Sequence, residues 1–313
     1  MSDLKEKVIG FFGLGTMGLP ICQGMVKCGY QMVLPTFRPI RNPERAAAVE
    51  EMLQKGAKGA ESQVEMIRQC DMFMLSLPKS QQVEELILSA DGILENARPG
   101  TVIVDLTSAD PMSTKKLSAM LEERGMEILD CPVSGGSGGA AAQTLTIMVG
   151  GKRDVFEYCR PILDTVGNPE KVMYIGPSGS GDIIKCANNF LSACCAAATT
   201  EAVAVCGKAG IDPRTAISVI QSSGGMSHAA TVKFPQIIFA GKKWNFALEL
   251  MAKDVGLFNA TAKELNLPAF YGQTTAQIWN IPISEVGGGE DCLNVQKIYE
   301  RWSGVQMCGI DQE

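Results

Sequence analysis

Apolar positions along the chain follow two rhythms. Up to about residue 176, short apolar runs alternate with amphipathic stretches. The runs are Val8-Ile-Gly-Phe-Phe12, Gly29-Tyr-Gln-Met-Val-Leu34, Asp71-Met-Phe-Met-Leu-Ser-Leu77, Thr101-Val-Ile-Val-Asp105, Glu127-Ile-Leu-Asp130 and Thr144 to Val149. Runs of this length, closed by turn residues and separated by helical patterns, predict the strands of a buried, mostly parallel sheet. Past Gly181 the strand signal gives way to helices, expected over 180–209, 212–222, 227–240, 246–265, 268–280 and 290–302. Gly210, Gly224-Gly225, Gly241, Pro268 and Gly287-Gly288-Gly289 punctuate them. The expected architecture is α/β: an N-terminal Rossmann-type doubly wound sheet over 1–176, then an all-α C-terminal domain over 177–313 begun by a long interdomain helix. A chain of 313 residues has material for two domains of roughly 150 residues each.

The first strand runs into Gly13-Leu14-Gly15-Thr16-Met17-Gly18 and then into a helical stretch from Leu19 to Lys27. In that order the first glycine permits a tight turn, the second lets a pyrophosphate reach the backbone, and the third lets helix pack on sheet. A dinucleotide site is therefore expected here. The second strand lacks the acidic residue that would hold ribose hydroxyls, and no Asp or Glu occurs from Leu19 to Pro43. Arg38 and Arg41 follow that strand and Arg45 opens the next helix, which favours NADP over NAD unless these arginines are merely solvated. The carboxyl ends of later strands nominate Leu77, Pro78 and Thr107 as neighbours of the nicotinamide half.

Two further glycine-rich stretches carry candidate chemistry. Cys131-Pro-Val-Ser134-Gly135-Gly136-Ser-Gly138-Gly139 reads as a loop whose amides and serine hydroxyl make a nest for a carboxylate. Gly176-Pro-Ser-Gly179-Ser-Gly181-Asp-Ile-Ile-Lys185-Cys-Ala-Asn-Asn189 reads as a loop opening a long helix. Gly181, Lys185 and Asn189 are four residues apart, so an amine and an amide share one helix face above a bare glycine.

Composition narrows the reaction classes. With one histidine, His228, a serine-histidine triad or a His-ligated metal site has little to build on, and no metal site is expected. Eleven scattered cysteines without a Cys-x-x-Cys pair suit a reducing cytoplasm. The net charge of -6, from 28 basic and 34 acidic residues without long runs, argues against a nucleic-acid or anionic-membrane surface. The charged N-terminus, Met1 to Lys7, argues against secretion. Ser192, Thr199, Thr200 and Glu201 inside the most apolar helix point to a buried helix instead of a membrane span.

Together these residues resemble the beta-hydroxyacid dehydrogenase family, which includes 3-hydroxyisobutyrate dehydrogenase and tartronate semialdehyde reductase. Gly13 to Gly18 is similar to its cofactor loop and Asp130 to Gly136, with Gly139-Ala140 and Thr144-Leu145, to its substrate signature. Gly176 to Asn189 is similar to its catalytic signature, and Lys253-Asp254 to its later Lys-Asp pair. The resemblance implies hydride transfer between NAD(P) and the carbinol of a small 3-hydroxy acid. It implies Lys185 as general acid-base, Asn189 orienting it, Ser134 with the Gly135 and Gly136 amides on the substrate carboxylate, and Lys253 beside nicotinamide and substrate. Asp254 is expected to fix a neighbouring helix. The loop 222–228 is expected to face the ligand, and a homodimer or homotetramer is expected. Two features depart from the family: Gln143 stands where glycine is usual, with a narrower or more polar pocket as the expected effect, and the loop after the second strand is about four residues longer. The carboxylate-type Ser134 loop disfavours a sulfonate substrate, and the chain is short for a 6-phosphogluconate dehydrogenase. The other readings are a catalytically silent NADP-binding interaction module and an imine reductase. Lys185 argues against both.

Overall fold

The structure, a computed structural model, describes residues 4–312. Met1, Ser2, Asp3 and Glu313, and with them part of the charged N-terminal segment, lie outside the described residues. The chain divides into two compact units, the first ending at Lys185 and the second beginning at Cys186.

The first unit is built on nine strands among the described residues: β1 Val8–Phe12, β2 Gln31–Leu34, β3 Lys58–Gly59, β4 Met72–Leu75, β5 Val102–Asp105, β6 Glu127–Asp130, β7 Val133–Ser134, β8 Leu145–Gly150 and β9 Gly167–Gly176. Their order is β3-β2-β1-β4-β5-β6-β8-β7, with β9 paired to β8. The first six run parallel, β8 is antiparallel to β6 and β7, and β9 is parallel to β8. Neighbouring side chains enter opposite faces of the sheet. Phe11, Leu34, Met74, Val104 and Leu129 join one core, and Phe12, Val33, Phe73, Ile103 and Ile128 the other. Both faces are covered, which is why these strands read as unbroken apolar runs. The order reverses between β1 and β4, so a crevice is expected at their carboxyl ends.

β9 escaped the sequence reading because Pro169, Glu170 and Lys171 break its apolar pattern. Edge strands tolerate proline and charge, since one side of the backbone has no ladder to complete. The glycine run expected as a loop instead coils into a short helix, Gly136–Ala141, because three alanines follow the glycines and Gly139 N–H bonds back to Gly135 O.

The second unit is helical. The helix Ser180–Lys208 spans 29 residues, or about 44 Å. Its small residues Ala193, Ala196 and Val203 are buried, and Trp279, Met251 and Phe234 belong to the same unit's cores. Among the described residues it is the one helix long and apolar enough to cross a membrane, judged by length and composition. It is only partly buried, against the expectation of a buried helix: Leu191 and Val205 are exposed at 57% and 66%. The remaining α-helices of this unit among the described residues are Pro213–Gln221, Leu248–Glu264, Phe270–Val286 and Asn294–Ser303, and a short 3-10 turn spans Ile310–Gln312. Ala229–Ile238 is a π-helix. Pro235 inside it has no N–H to donate, and its ring clashes with an α-helical carbonyl, which widens the turn.

Candidate active site

At the switch point the glycines of β1's loop have distinct tasks. Gly13 has φ +100°, and a Cβ there would lie 2.1 Å from Ser76 O. A Cβ on Gly18 would lie 1.9 Å from Gly13 O. Gly15 has nothing within 4 Å of its Cβ position, so the space above it is open. The helix Gly18–Lys27 starts here with no acidic residue in its first turn. An exposed backbone cradle before an unopposed helix N-terminus suits the pyrophosphate of a dinucleotide. The strand ends β4 and β5 meet beside it: Thr107 Oγ1 accepts the Leu77 N–H at 3.0 Å, and Leu77 borders Gly13. Pro78 follows, exposed. Thus Leu77 and Thr107 are brought to the loop of Gly13, Leu14, Gly15, Thr16, Met17 and Gly18.

The three arginines differ in their partners. Arg45 donates to Thr16 Oγ1 at 3.0 Å and so touches the glycine loop directly. Arg38 donates to Gln63 Oε1 at 3.2 Å and lies against the Phe37 ring, while Arg41 is exposed. Asn42 caps the helix Pro43–Gln54 by accepting the Arg45 N–H, which sets Arg45 on its first turn.

Ser134 sits on β7, paired with Thr146 of β8. Gly135 and Gly136 follow with φ +135° and +64°, both exposed. Gln143 is itself left-handed at φ +57°, a backbone conformation that favours glycine. Its side chain donates to Thr165 O at 2.8 Å and borders Gly24, so it packs between helices of the first unit; the expected change to the pocket is not what this contact provides.

A carboxylate cluster roots the long helix. Asp130, 1% exposed at the end of β6, accepts the N–H of Gly179 at 2.8 Å and that of Asp182 at 3.1 Å. Asp182, also 1% exposed, accepts the Ala109 N–H at 3.1 Å and the Thr114 hydroxyl at 2.8 Å. Burial pushes both carboxyls up from the ordinary range. Asp130 and Asp105 raise Asp182 further, whereas the backbone donors partly offset the shift at Asp130. Lys185 follows one turn later and is buried, 7% exposed.

Four residues on, in the second unit, Asn189 is also buried, 8% exposed. Its Nδ2 donates to Asp254 Oδ2 at 2.5 Å, and Asp254 Oδ1 lies 3.1 Å from Lys253 Nζ. Asp254 thus joins the two helices, as expected for a helix-fixing carboxylate, and also holds the two side chains nominated for the site. Nearby on the same helix Ser192 receives the buried Lys233 ammonium, Nζ to Oγ 3.0 Å. Among the described residues Lys233 has no ion pair, and burial lowers its pKa. In the loop 222–228, Met226 is 65% exposed and His228 stands edge-on to Trp244. Among the described residues no cluster of His, Cys, Asp and Glu could hold a metal, and all eleven cysteines are free thiols.

Comparison with known proteins adds an independent line. Residues 8–176 match the NAD binding domain of 6-phosphogluconate dehydrogenase, and 179–299 match the NAD-binding domain of NADP-dependent 3-hydroxyisobutyrate dehydrogenase. The chain is 35% identical over 306 residues to 2-(hydroxymethyl)glutarate dehydrogenase of Eubacterium barkeri, covering 97% of this chain and 99% of that one. It is 32% identical to the NAD-dependent L-serine dehydrogenase of Pseudomonas aeruginosa, covering 95% and 99%. The solved structure of Mycobacterium tuberculosis 3-hydroxyisobutyrate dehydrogenase with L-serine superposes with a TM-score of 0.80 at 28% identity, covering 93% of this chain and 98% of that one. Matches over both halves and nearly full-length identity above 30% lead to one assignment: the chain belongs to the 3-hydroxyisobutyrate dehydrogenase, or beta-hydroxyacid dehydrogenase, family of NAD(P)-dependent 3-hydroxyacid dehydrogenases.

Proposed function

We propose that the protein interconverts a small 3-hydroxy acid and its semialdehyde, with Lys185 as general acid-base. The observation that carries the reading is a buried amine, Lys185, one helical turn before a buried amide, Asn189, that Asp254 holds by its carboxylate. The named substrates of three relatives narrow the class. L-Serine, 3-hydroxyisobutyrate and 2-(hydroxymethyl)glutarate all carry a CH2OH on the carbon that bears a carboxylate. They differ in the third substituent, so a 3-hydroxypropanoate substituted at C2 is the proposed substrate.

When bound, the nicotinamide dinucleotide supplies the hydride acceptor or donor. Ser134 and the Gly135 and Gly136 amides hold the substrate carboxylate. Lys185, as the neutral amine, takes the carbinol proton during oxidation; as the ammonium it returns a proton to the aldehyde oxygen during reduction. Asn189 and Lys253 orient the reacting groups, and Arg45 with Arg38 and Arg41 favours the 2'-phosphate of NADP. The proposal extends to a cytoplasmic homodimer or homotetramer without nucleic-acid or membrane partners. Leu265, Leu267, Phe270 and Tyr271, each more than 60% exposed, form apolar surface that a second copy would cover.

Lys185→Ala tests the mechanism. Turnover with either cofactor should fall by about 10³-fold or more while cofactor binding, followed by nucleotide fluorescence, stays within about threefold. Retention of most activity would remove Lys185 from the chemistry.

A further inference from the structure

The proposed reaction needs a fixed distance between two points, the loop that holds the carboxylate and the amine that moves the proton. Both belong to the first unit, and the same strand supports them. Ser134 pairs with Thr146 of β8. Two residues further along β8, Met148 O lies where a Cβ on Gly181 would stand, at 2.3 Å. Two residues of strand span about 6.6 Å, so the serine and the first turn of the lysine's helix rest on β8 within a small molecule's length of each other.

Asp130 locks that helix turn. It ends β6, paired with Gly150 of β8, and the chain runs from it through Cys131, Pro132 and Val133 directly to Ser134. Its two carboxylate oxygens take the N–H groups of Gly179 and Asp182, donors at the helix start that would otherwise be unsatisfied. Asparagine offers one acceptor in the same volume and sets an N–H group against one of those donors. Space around the carboxylate is closed: a Cβ on Gly150 would stand 2.4 Å from Asp130 Oδ2. Gly150 has no left-handed φ, so alanine could adopt its backbone, and the clash with the carboxylate is what excludes a side chain there.

We propose that Asp130 is a positioning residue that sets substrate chain length, by fixing the first turn of Lys185's helix against the strand that leads to Ser134. The inference rests on Lys185 and Ser134 having the roles given above. It differs from a general stabilising role in its signature. Loss of folded protein scales every turnover number equally, whereas a shifted lysine alters the preference among substrates of different length.

The test compares Asp130→Asn, which removes an acceptor, with Gly150→Ala, which displaces the carboxyl group and keeps both of its oxygens. Turnover of glycolate, 3-hydroxypropanoate and 4-hydroxybutanoate is measured alongside modification of Lys185 by trinitrobenzenesulfonate, read by peptide mass spectrometry. In both variants kcat/KM for 3-hydroxypropanoate should fall about 100-fold, the loss expected for a misplacement near 1 Å, with the other two acids changing by less than about threefold. Lys185 labelling relative to Lys253 should change by at least about threefold in both. Equal scaling of all three acids with unchanged Lys185 labelling would overturn the proposal. If the wild-type protein turns over none of these acids and none of L-serine, 3-hydroxyisobutyrate and 2-(hydroxymethyl)glutarate, the functional reading fails; wherever the three test acids are not turned over, the labelling decides the positioning role alone: unchanged labelling overturns it.

Discussion

Asn189 on the long helix and Asp254 on Leu248–Glu264 are joined side chain to side chain at 2.5 Å across 65 positions of sequence, and the same carboxylate holds Lys253. A charge-assisted bond between buried groups is worth about 1.5–3 kcal/mol, so its loss should be visible in rate. Asp254→Ala should lower kcat/KM by about 10–100-fold, with Asp254→Asn intermediate. Steady-state kinetics of the two variants check this; full activity in the alanine variant would return Asp254 to a purely structural role.

The glycine loop separates folding from binding. Gly18→Ala places a methyl against Gly13 O and should lower the melting temperature markedly. Gly15→Val meets no protein atom within 4 Å of its Cβ and should melt close to wild type while weakening cofactor binding about tenfold or more. Differential scanning fluorimetry with and without nucleotide distinguishes the two; equal melting losses would contradict it.

Cofactor choice should respond to Arg45 before Arg38. Arg45 touches the glycine loop, whereas Arg38 is engaged by Gln63. Arg45→Ala is expected to raise KM for NADPH about tenfold with KM for NADH nearly unchanged, and Arg38→Ala to do so less. Equal effects on both cofactors would remove the 2'-phosphate from the explanation.

Asp182 makes stability depend on pH. Its folded pKa is raised by burial and then by Asp130 and Asp105, while Thr114 and Ala109 donate to it. A raised acid contributes its stability fully below about pH 4, its unfolded value, and loses it as pH rises through the folded value. Asparagine does not titrate. The melting temperature of Asp182→Asn minus that of wild type should therefore increase as pH rises above about 4, after a constant offset for the altered hydrogen bonds. A difference independent of pH would contradict this.

Lys233→Met replaces a buried ammonium that has no ion pair among the described residues with an apolar chain of similar length. Denaturant unfolding should show stability unchanged or raised by about 1 kcal/mol, since desolvation of the charge no longer opposes folding. A loss above about 2 kcal/mol would mean that the bond to Ser192 and the Trp244 contact outweigh desolvation.

The amino-acid order by itself determined the local features. Unbroken apolar runs named the central strands because both sheet faces are buried. The glycines at 13, 15 and 18 named the dinucleotide loop because the chain leaves no room for a side chain at 13 and 18, while 15 keeps its backbone open to a ligand. Four-residue spacing placed Lys185 and Asn189 on one face because an α-helix repeats every 3.6 residues. Features that depend on distant partners came only from the tertiary structure. β9 is tolerated because an edge strand leaves half its backbone unpaired. Arg45 reaches Thr16 because the Asn42 cap fixes the helix start beside the first loop. Asp130 grips Gly179 and Asp182, and Asp254 grips Asn189, across 49 to 65 positions. A one-dimensional pattern records which residues can bury or turn; which carboxylate meets which amide is decided by packing, where the desolvated oxygen must find its donor.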